Sequence, residues 1–262
     1  MSSPAPVRVG VRVAPQHCSY RQMRDAWLRA EDSGADTLFT WDHFYPLYGE
    51  PDGAHFECWS LLAAIAEATE RIHFGALVTC NSYRNPNLLA DMARTVDQIS
   101  GGRLILGLGS GWFERDYVEY GYEFGTPITR LHAFRAALPV IHARLGALNP
   151  PPVRGSIPLL IGGGGERVML RLVAQWATTW HAFGAPDVIA HKSRVLDEHC
   201  VAIGRDPAEI ERSVMVTGED IAKGYLDRYH EIGATHIVAI AKEPEFDLAD
   251  LRRVLAWRDS LG

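Results

Sequence analysis

The sequence predicts an α/β protein, a (β/α)8 barrel in compact form, and three observations carry that expectation. Short apolar runs of strand length alternate with amphipathic stretches of helical period, eight times over in 262 residues. Alternation of this kind calls for parallel strands joined by helical crossovers. The length suits one such barrel, which typically takes roughly 250 residues. An open doubly wound sheet would also alternate, but no Gly-rich fingerprint follows the first strand, which favours the closed form.

The first strand covers residues 7–13, where Val7, Val9, Val11 and Val13 alternate with Arg8, Gly10 and Arg12. A helix from Ser19 sets Tyr20, Met23, Trp27 and Ala30 at helical spacing and stops at Gly34. Strand two, 35–41, leads through a long loop to a helix over 57–68. Strand three, 72–79, precedes an irregular turn over 80–85 and a helix entered at Pro86, a favoured first-turn residue. Strand four covers 104–108 and its helix 127–145. Beyond Asn149-Pro150-Pro151-Pro152, too proline-rich for regular structure, come strand five at 159–161 and a helix from Gly165. Strands six (178–181) and seven (214–216) are short, with helices over 186–203 and 219–232. Strand eight, 236–240, is followed by a closing helix over 248–261. No repeat or linker breaks the series, so residues 1–262 read as a single barrel domain.

Composition narrows the function classes. With 47% hydrophobic and 22% charged residues, a core of this size needs neither disulfide nor metal. A net charge of −6, a pI near 6.0 and the lack of any Lys/Arg run argue against a nucleic-acid partner. No apolar run reaches the roughly 18 residues of a membrane span, and the first residues do not resemble a signal peptide. A cytoplasmic protein with no membrane partner is expected. Cys18, Cys58, Cys80 and Cys200 lie far apart without a C-x-x-C, which reads as reduced thiols.

In a parallel barrel the active site sits at the C-terminal ends of the strands. Strand one delivers Gln16 and His17 there, and strand two delivers Trp41-Asp42-His43-Phe44 and a loop holding His55 and Glu57. A carboxylate beside an imidazole at a strand end suits cofactor orientation and proton transfer near neutral pH; the plainer alternative is a helix-capping Asp beside a packed His. Strand three delivers Thr79, Asn81, Ser82, Tyr83 and Arg84. Gly107, Gly109 and Gly111 strip one face of strand four, so a flat ring could lie against the backbone, or the barrel mouth could simply be tightly packed. Trp112 would wall that pocket, and Glu114 and Arg115 follow it. Gly162, Gly163, Gly164 and Gly165 precede Glu166 and Arg167, an arrangement that brings backbone N–H groups close to an anion at a helix start; a flexible turn is the alternative. Trp180-His181 ends strand six. No H-E-x-x-H or H-x-H at a strand end supports a metal, and no G-x-S-x-G supports a serine nucleophile. An organic cofactor that carries the redox chemistry remains.

These segments, with Leu77-Val78-Thr79-Cys80-Asn81-Ser82-Tyr83-Arg84-Asn85-Pro86 and Ser100-Gly101-Gly102-Arg103-Leu104, resemble the luciferase-like monooxygenase family. The likeness is strongest to its coenzyme F420-dependent oxidoreductases of actinobacteria. The resemblance implies a TIM barrel with a flavin-type ring at the C-terminal mouth, backed by a non-prolyl cis peptide at Ala76–Leu77 or Leu77–Val78. It implies catalytic roles for Asp42, near the ring, and His43, facing the substrate. Cofactor contacts are implied for Ala76, Leu77, Thr79, Gly109, Gly111, Gly162 and Glu166, with the phosphate at Gly163, Gly164 and Gly165. Gln16, His55, Glu57, Trp112 and His181 fall to the substrate pocket. The chain departs from the pattern in lacking much of the insertion after strand four. Trp112 also stands where sugar-phosphate dehydrogenases of the group carry an acidic proton donor, and His181 where relatives often have Asn.

The leading expectation is hydride transfer between F420 and a small organic substrate, in either direction. An FMN-dependent monooxygenase comes second, then a cofactor-binding protein without turnover, then a metal hydrolase. Tyr117, Tyr120 and Tyr122, read as exposed loop aromatics, suggest a homodimer surface or a pocket lining.

Overall fold

The computed structural model describes residues 6–262, and in it the alternation resolves into a closed, wholly parallel barrel. The strands are β1 (Arg8–Arg12), β2 (Thr37–Thr40), β3 (His73–Ala76), β4 (Thr79–Cys80), β5 (Leu104–Gly109), β6 (Leu159–Gly162), β7 (Thr179–Ala182), β8 (Glu211–Met215) and β9 (Ala234–Ile240). β3 and β4 are two halves of one barrel strand, since both pair with β5; β3 also pairs with β2, and β1 with β9, which closes the ring. Between the halves lies the cis peptide Leu77–Val78, at one of the two positions the resemblance implied.

The outer ring comprises α1 (Tyr20–Asp32), α2 (Cys58–Ala68), α3 (Pro86–Ser100), α4 (Glu114–Tyr120), α5 (Pro127–Ala147), α6 (Met169–Trp176), α7 (Pro186–Ala202), α8 (Gly218–Ala222), α9 (Tyr225–Glu231) and α10 (Ala249–Asp259). Local chemistry sets many of their ends. Ser19 and Gln22 form a reciprocal capping box on α1, Pro86 enters α3 behind an Asn85 cap, and Gly101 ends α3 with a left-handed φ. Alternation along the strands sorts the core. Val9, Val11, Leu38, Phe74, Leu104, Leu106 and Ile161 face the helices, while Phe39, Leu77, Ile105, Leu160 and Val238 fill the barrel interior.

Three expectations are corrected. The helix after β6 begins at Met169 rather than Gly165, because residues 163–165 form a loop and 166–168 a turn first. The stretch over 219–232 divides into α8 and α9 at Gly224, whose φ of 71° is left-handed. The segment between β5 and α5 contains α4, a helix that hydrophobic periodicity did not reveal. Its Tyr117 is fully buried among Cys80, Tyr83 and Phe124, and Tyr120 stacks on Phe44 at 3.9 Å. Tyr117 is therefore not the exposed loop residue that was expected, whereas Tyr120 is 53% exposed. All four cysteines are free and buried, and no helix of the described residues is long and apolar enough to cross a membrane.

Candidate active site

A cavity of about 430 Å³ opens at the C-terminal mouth of the barrel. Asp42, His43, Leu77, Gly109, Gly111, Trp112, Gly162, Gly163 and His181 all line it, drawn together from the ends of five barrel strands. A second cavity of about 600 Å³, at Arg8, Glu209 and Arg212, lies at the opposite end of the strands. That is the face of a parallel barrel that serves stability rather than chemistry.

His43 is held by a residue that sequence reasoning missed. Its Nδ1 lies 2.7 Å from Oδ2 of Asp116, on the first turn of α4. Oδ2 also accepts from the Tyr83 hydroxyl at 2.8 Å, and Oδ1 from the backbone N–H groups of Phe44 at 3.1 Å and Tyr45 at 3.2 Å. All of these partners donate, so Asp116 serves as an acceptor-only carboxylate and Nδ1 of His43 carries a proton. Burial, followed by the charges of Cys80 and Asp116, keeps the Tyr83 phenol protonated far above its usual range, so it remains a donor. Nε2 of His43 has no partner among the described residues and is left for the cavity. Trp112 and Phe113 meet the imidazole edge-on at 5.7 and 5.4 Å, which confines its orientation.

Asp42 works differently. Its buried carboxylate takes both arms of the Arg84 guanidinium, at 2.6 and 3.0 Å, and the Cys80 N–H at 2.9 Å. Arg84 reaches on to Glu57 at 2.6 Å, and Glu57 caps α2 through Trp59 and Ser60. Burial works against the Arg84 charge, but Asp42 and Glu57 outweigh it and hold the guanidinium protonated. Asp42 thus ties strand two to the turn after strand three. Glu57 belongs to that brace and does not line the cavity.

Gln16 and His55 also stand behind the wall. Gln16 accepts from Leu47 N–H at 2.9 Å and pins the loop after β2. His55 accepts the Trp41 indole N–H at 3.0 Å, and burial pushes its pKa down to about 4, so it is neutral when it does so. His181 lines the cavity from β7. Its Nδ1 meets Ser213 Oγ at 2.8 Å, while its Nε2 is buried without a partner among the described residues. Burial, with His236 adding to it, pushes His181 down to about 3.

The glycines of β5 and β6 leave room for strand three rather than for a ring. A Cβ at Gly107 would meet the Ala76 carbonyl oxygen at 1.9 Å, and one at Gly109 would meet Val78 Cγ2 at 2.6 Å. Leu77 and Val78 are thereby pushed into the cavity wall as an apolar ledge. Ala76 and Thr79 lie beneath that wall, Thr79 with a buried hydroxyl that has no partner among the described residues.

Gly163 lines the cavity, and the loop runs on from it through Glu166 as the glycine rim. Trp180 Nε1 donates to the Gly163 carbonyl at 2.7 Å and Lys192 Nζ to that of Gly164 at 2.5 Å. Gly163 needs its freedom, since its φ is 127°. The carbonyls are tied back, whereas the N–H groups of Gly164, Gly165 and Glu166 have no acceptor among the described residues. Such a row of free donors beside an ammonium is suited to an anion. The Glu166 carboxylate lies 3.2 Å from His191 Nε2 and 3.6 Å from Lys192 Nζ, so it already meets part of that ammonium's charge.

Arg12, Leu47, Tyr48, Met169, Phe183 and Met215 also line the cavity and were not singled out from the sequence. Inward projection from β1 could have revealed Arg12, since it alternates with the outward valines. Among the described residues no three His, Cys, Asp or Glu side chains gather as a metal site.

A parallel barrel with an imidazole–carboxylate pair in an apolar cavity at the C-terminal mouth has its polar groups where barrels of this class carry their chemistry. The chain belongs to the luciferase-like monooxygenase family, which it matches over residues 2–218. It is 35% identical over 108 residues to an F420-dependent glucose-6-phosphate dehydrogenase of Amycolatopsis mediterranei, covering 40% of this chain and 32% of that one. It therefore spans about a third of the length of that relative. In fold it is similar to an F420-dependent secondary alcohol dehydrogenase solved with an F420–acetone adduct. That likeness has a TM-score of 0.82 at 15% identity and covers 97% of this chain and 98% of that one. It is also similar to the oxygenating constituent of a 3,6-diketocamphane monooxygenase of Pseudomonas putida in complex with FMN. There the TM-score is 0.67 at 18% identity, over 81% of this chain and 67% of that one. At these identities the two solved structures speak for the fold alone.

Proposed function

We propose that the protein is an F420-dependent oxidoreductase that transfers a hydride between the deazaflavin and a small organic substrate. The observation that carries the proposal is the His43–Asp116 pair, which presents Nε2 of a tautomer-fixed imidazole to a cavity walled by Leu77, Val78 and Trp112. The F420-dependent relative adds to it. When bound, the deazaflavin would supply a carbon that accepts or releases a hydride. Leu77 and Val78 would support its ring, the unpaired Nε2 of His181 would meet a polar edge, and the N–H groups of Gly164 to Glu166 would take its phosphate.

The protein's own part is orientation and proton movement. Asp116 keeps Nδ1 protonated, so the exchangeable site of His43 is Nε2, where a proton is given to or taken from the substrate oxygen. The aromatic edges around His43 keep water from the imidazole. The Arg84 brace holds strand two and the ledge in register.

The test is binding of oxidised F420 and, separately, FMN to the purified protein, followed by fluorescence. Micromolar F420 binding with FMN ignored is expected, with His43→Ala keeping that binding and losing turnover. Tight FMN binding without F420 binding would move the protein to the FMN-dependent monooxygenase branch. If neither binds, the reading of the glycine rim is wrong.

A further inference from the structure

Arg12 is far less fully bonded than the buried arginines Arg103 and Arg84. Arg103 has five N–H donors and makes five hydrogen bonds, to Ser100, Thr69, Ile72 and Ala66. Arg84 makes three hydrogen bonds to two carboxylates. Arg12, on the wall of the mouth cavity, makes a single long contact, from Nη2 to the Tyr48 hydroxyl at 3.5 Å. Its Nε is buried with no partner, and it enters no ion pair among the described residues. The Tyr48 hydroxyl donates to Glu243 at 2.8 Å, which leaves an oxygen lone pair toward Arg12 but no carboxylate in contact with it.

The buried Nε of Arg12 lacks a partner, and its remaining donors face the open mouth cavity, where only water or a ligand's acceptor can take them. The geometry is productive for a ligand. The guanidinium lies 4.8 Å from the Trp41 ring centroid, and the same indole meets His43 edge-on at 6.2 Å. A molecule held at Arg12 therefore reaches His43 across one aromatic ring. Trp112 and Phe183, 62% and 65% exposed, leave apolar surface at the same mouth for the body of that molecule.

We infer that Arg12 binds an anionic oxygen group, a carboxylate or a phosphate, on the substrate, which is then a small organic anion with an apolar body. Planar guanidinium donors suit either group bidentately. The inference rests on the oxidoreductase reading of the same cavity, but its test does not need F420.

Calorimetric titration of the purified protein with benzoate, phenyl phosphate and the neutral isostere benzamide decides it. At least one anion is expected to bind about tenfold or more tightly than benzamide, an advantage lost in Arg12→Gln and largely kept in Arg12→Lys. A benzoate preference names a carboxylate substrate and a phenyl phosphate preference a phosphate ester. Equal binding of benzamide and both anions overturns the inference, as does a lack of saturable anion binding or an unchanged affinity in Arg12→Gln. If Arg12→Gln fails to fold, the wild-type comparison and Arg12→Lys carry the decision. F420 bound without anion selectivity sinks this inference alone, whereas Arg12-dependent anion binding without F420 binding sinks only the cofactor reading.

Discussion

Nδ1 of His43 and Oδ2 of Asp116 lie 2.7 Å apart although the residues are 73 positions apart in the chain. The contact joins the end of strand two to α4 and decides which nitrogen of the imidazole faces the cavity. A carboxylate in this position fixes both tautomer and ring orientation.

Asp116→Asn tests that role. The amide offers donors where His43 and Tyr83 already donate, so the imidazole loses its fixed tautomer. Turnover should fall about 100-fold or more, in line with the loss of an oriented acid–base group, while F420 affinity stays within about twofold. Steady-state rates across pH and a fluorescence titration separate the two effects. Weakened F420 binding with a matching small loss in rate would instead make Asp116 a purely structural residue.

His181 makes the fold acid-sensitive. The unfolded chain takes up its proton near pH 6.5, while the buried imidazole resists protonation down to about 3. Stability is therefore full above about pH 6.5, is lost as the pH falls below it, and stops falling near 3. Between pH 6.5 and 4.5 His181 alone should cost roughly 2 kcal/mol. Buried His236 is shifted the same way, so the comparison must be between variants. Urea unfolding of wild type and His181→Asn at pH 7 and pH 4.5 checks it. An identical pH slope in the two proteins would show that His181 titrates normally.

Gly109→Ala probes the ledge. The new methyl would sit 2.6 Å from Val78 Cγ2 and force the strand-three junction to move. Overpacking of this kind costs about 1–3 kcal/mol. Val78→Ala removes the atom in conflict, so the double variant should be more stable than the sum of the single losses. Strict additivity in denaturant unfolding would mean that the two residues do not compete for the same space.

Much of the barrel was legible because its causes are local. Valine alternation in β1, the start of α1 at Ser19, its stop before Gly34 and Pro86 at the head of α3 each act within a few residues. Where causes were not local, reading along the chain fell short. α4 is seven residues long and buries Asp116 and Tyr117, a polar group and an aromatic whose partners come from other loops. No periodicity announces such a helix. The glycines of β5 were visible, but whether the vacated space holds a ligand or Val78 depends on where strand three bends.

Residue order by itself determined that strands and helices alternate, that the strands run parallel, and that chemistry belongs to the loops at their C-terminal ends. It also placed Asp42, His43 and the run from Gly162 to Glu166 among those loops. Only the tertiary structure decided the division of labour there. His43 faces the cavity on a buried Asp116, Asp42 is spent on Arg84, and Arg12 is left with donors to spare. The physical reason is that a side chain's role at a barrel mouth follows from which of its hydrogen-bonding groups are already satisfied. That is a property of neighbours brought together by closure, not of sequence spacing.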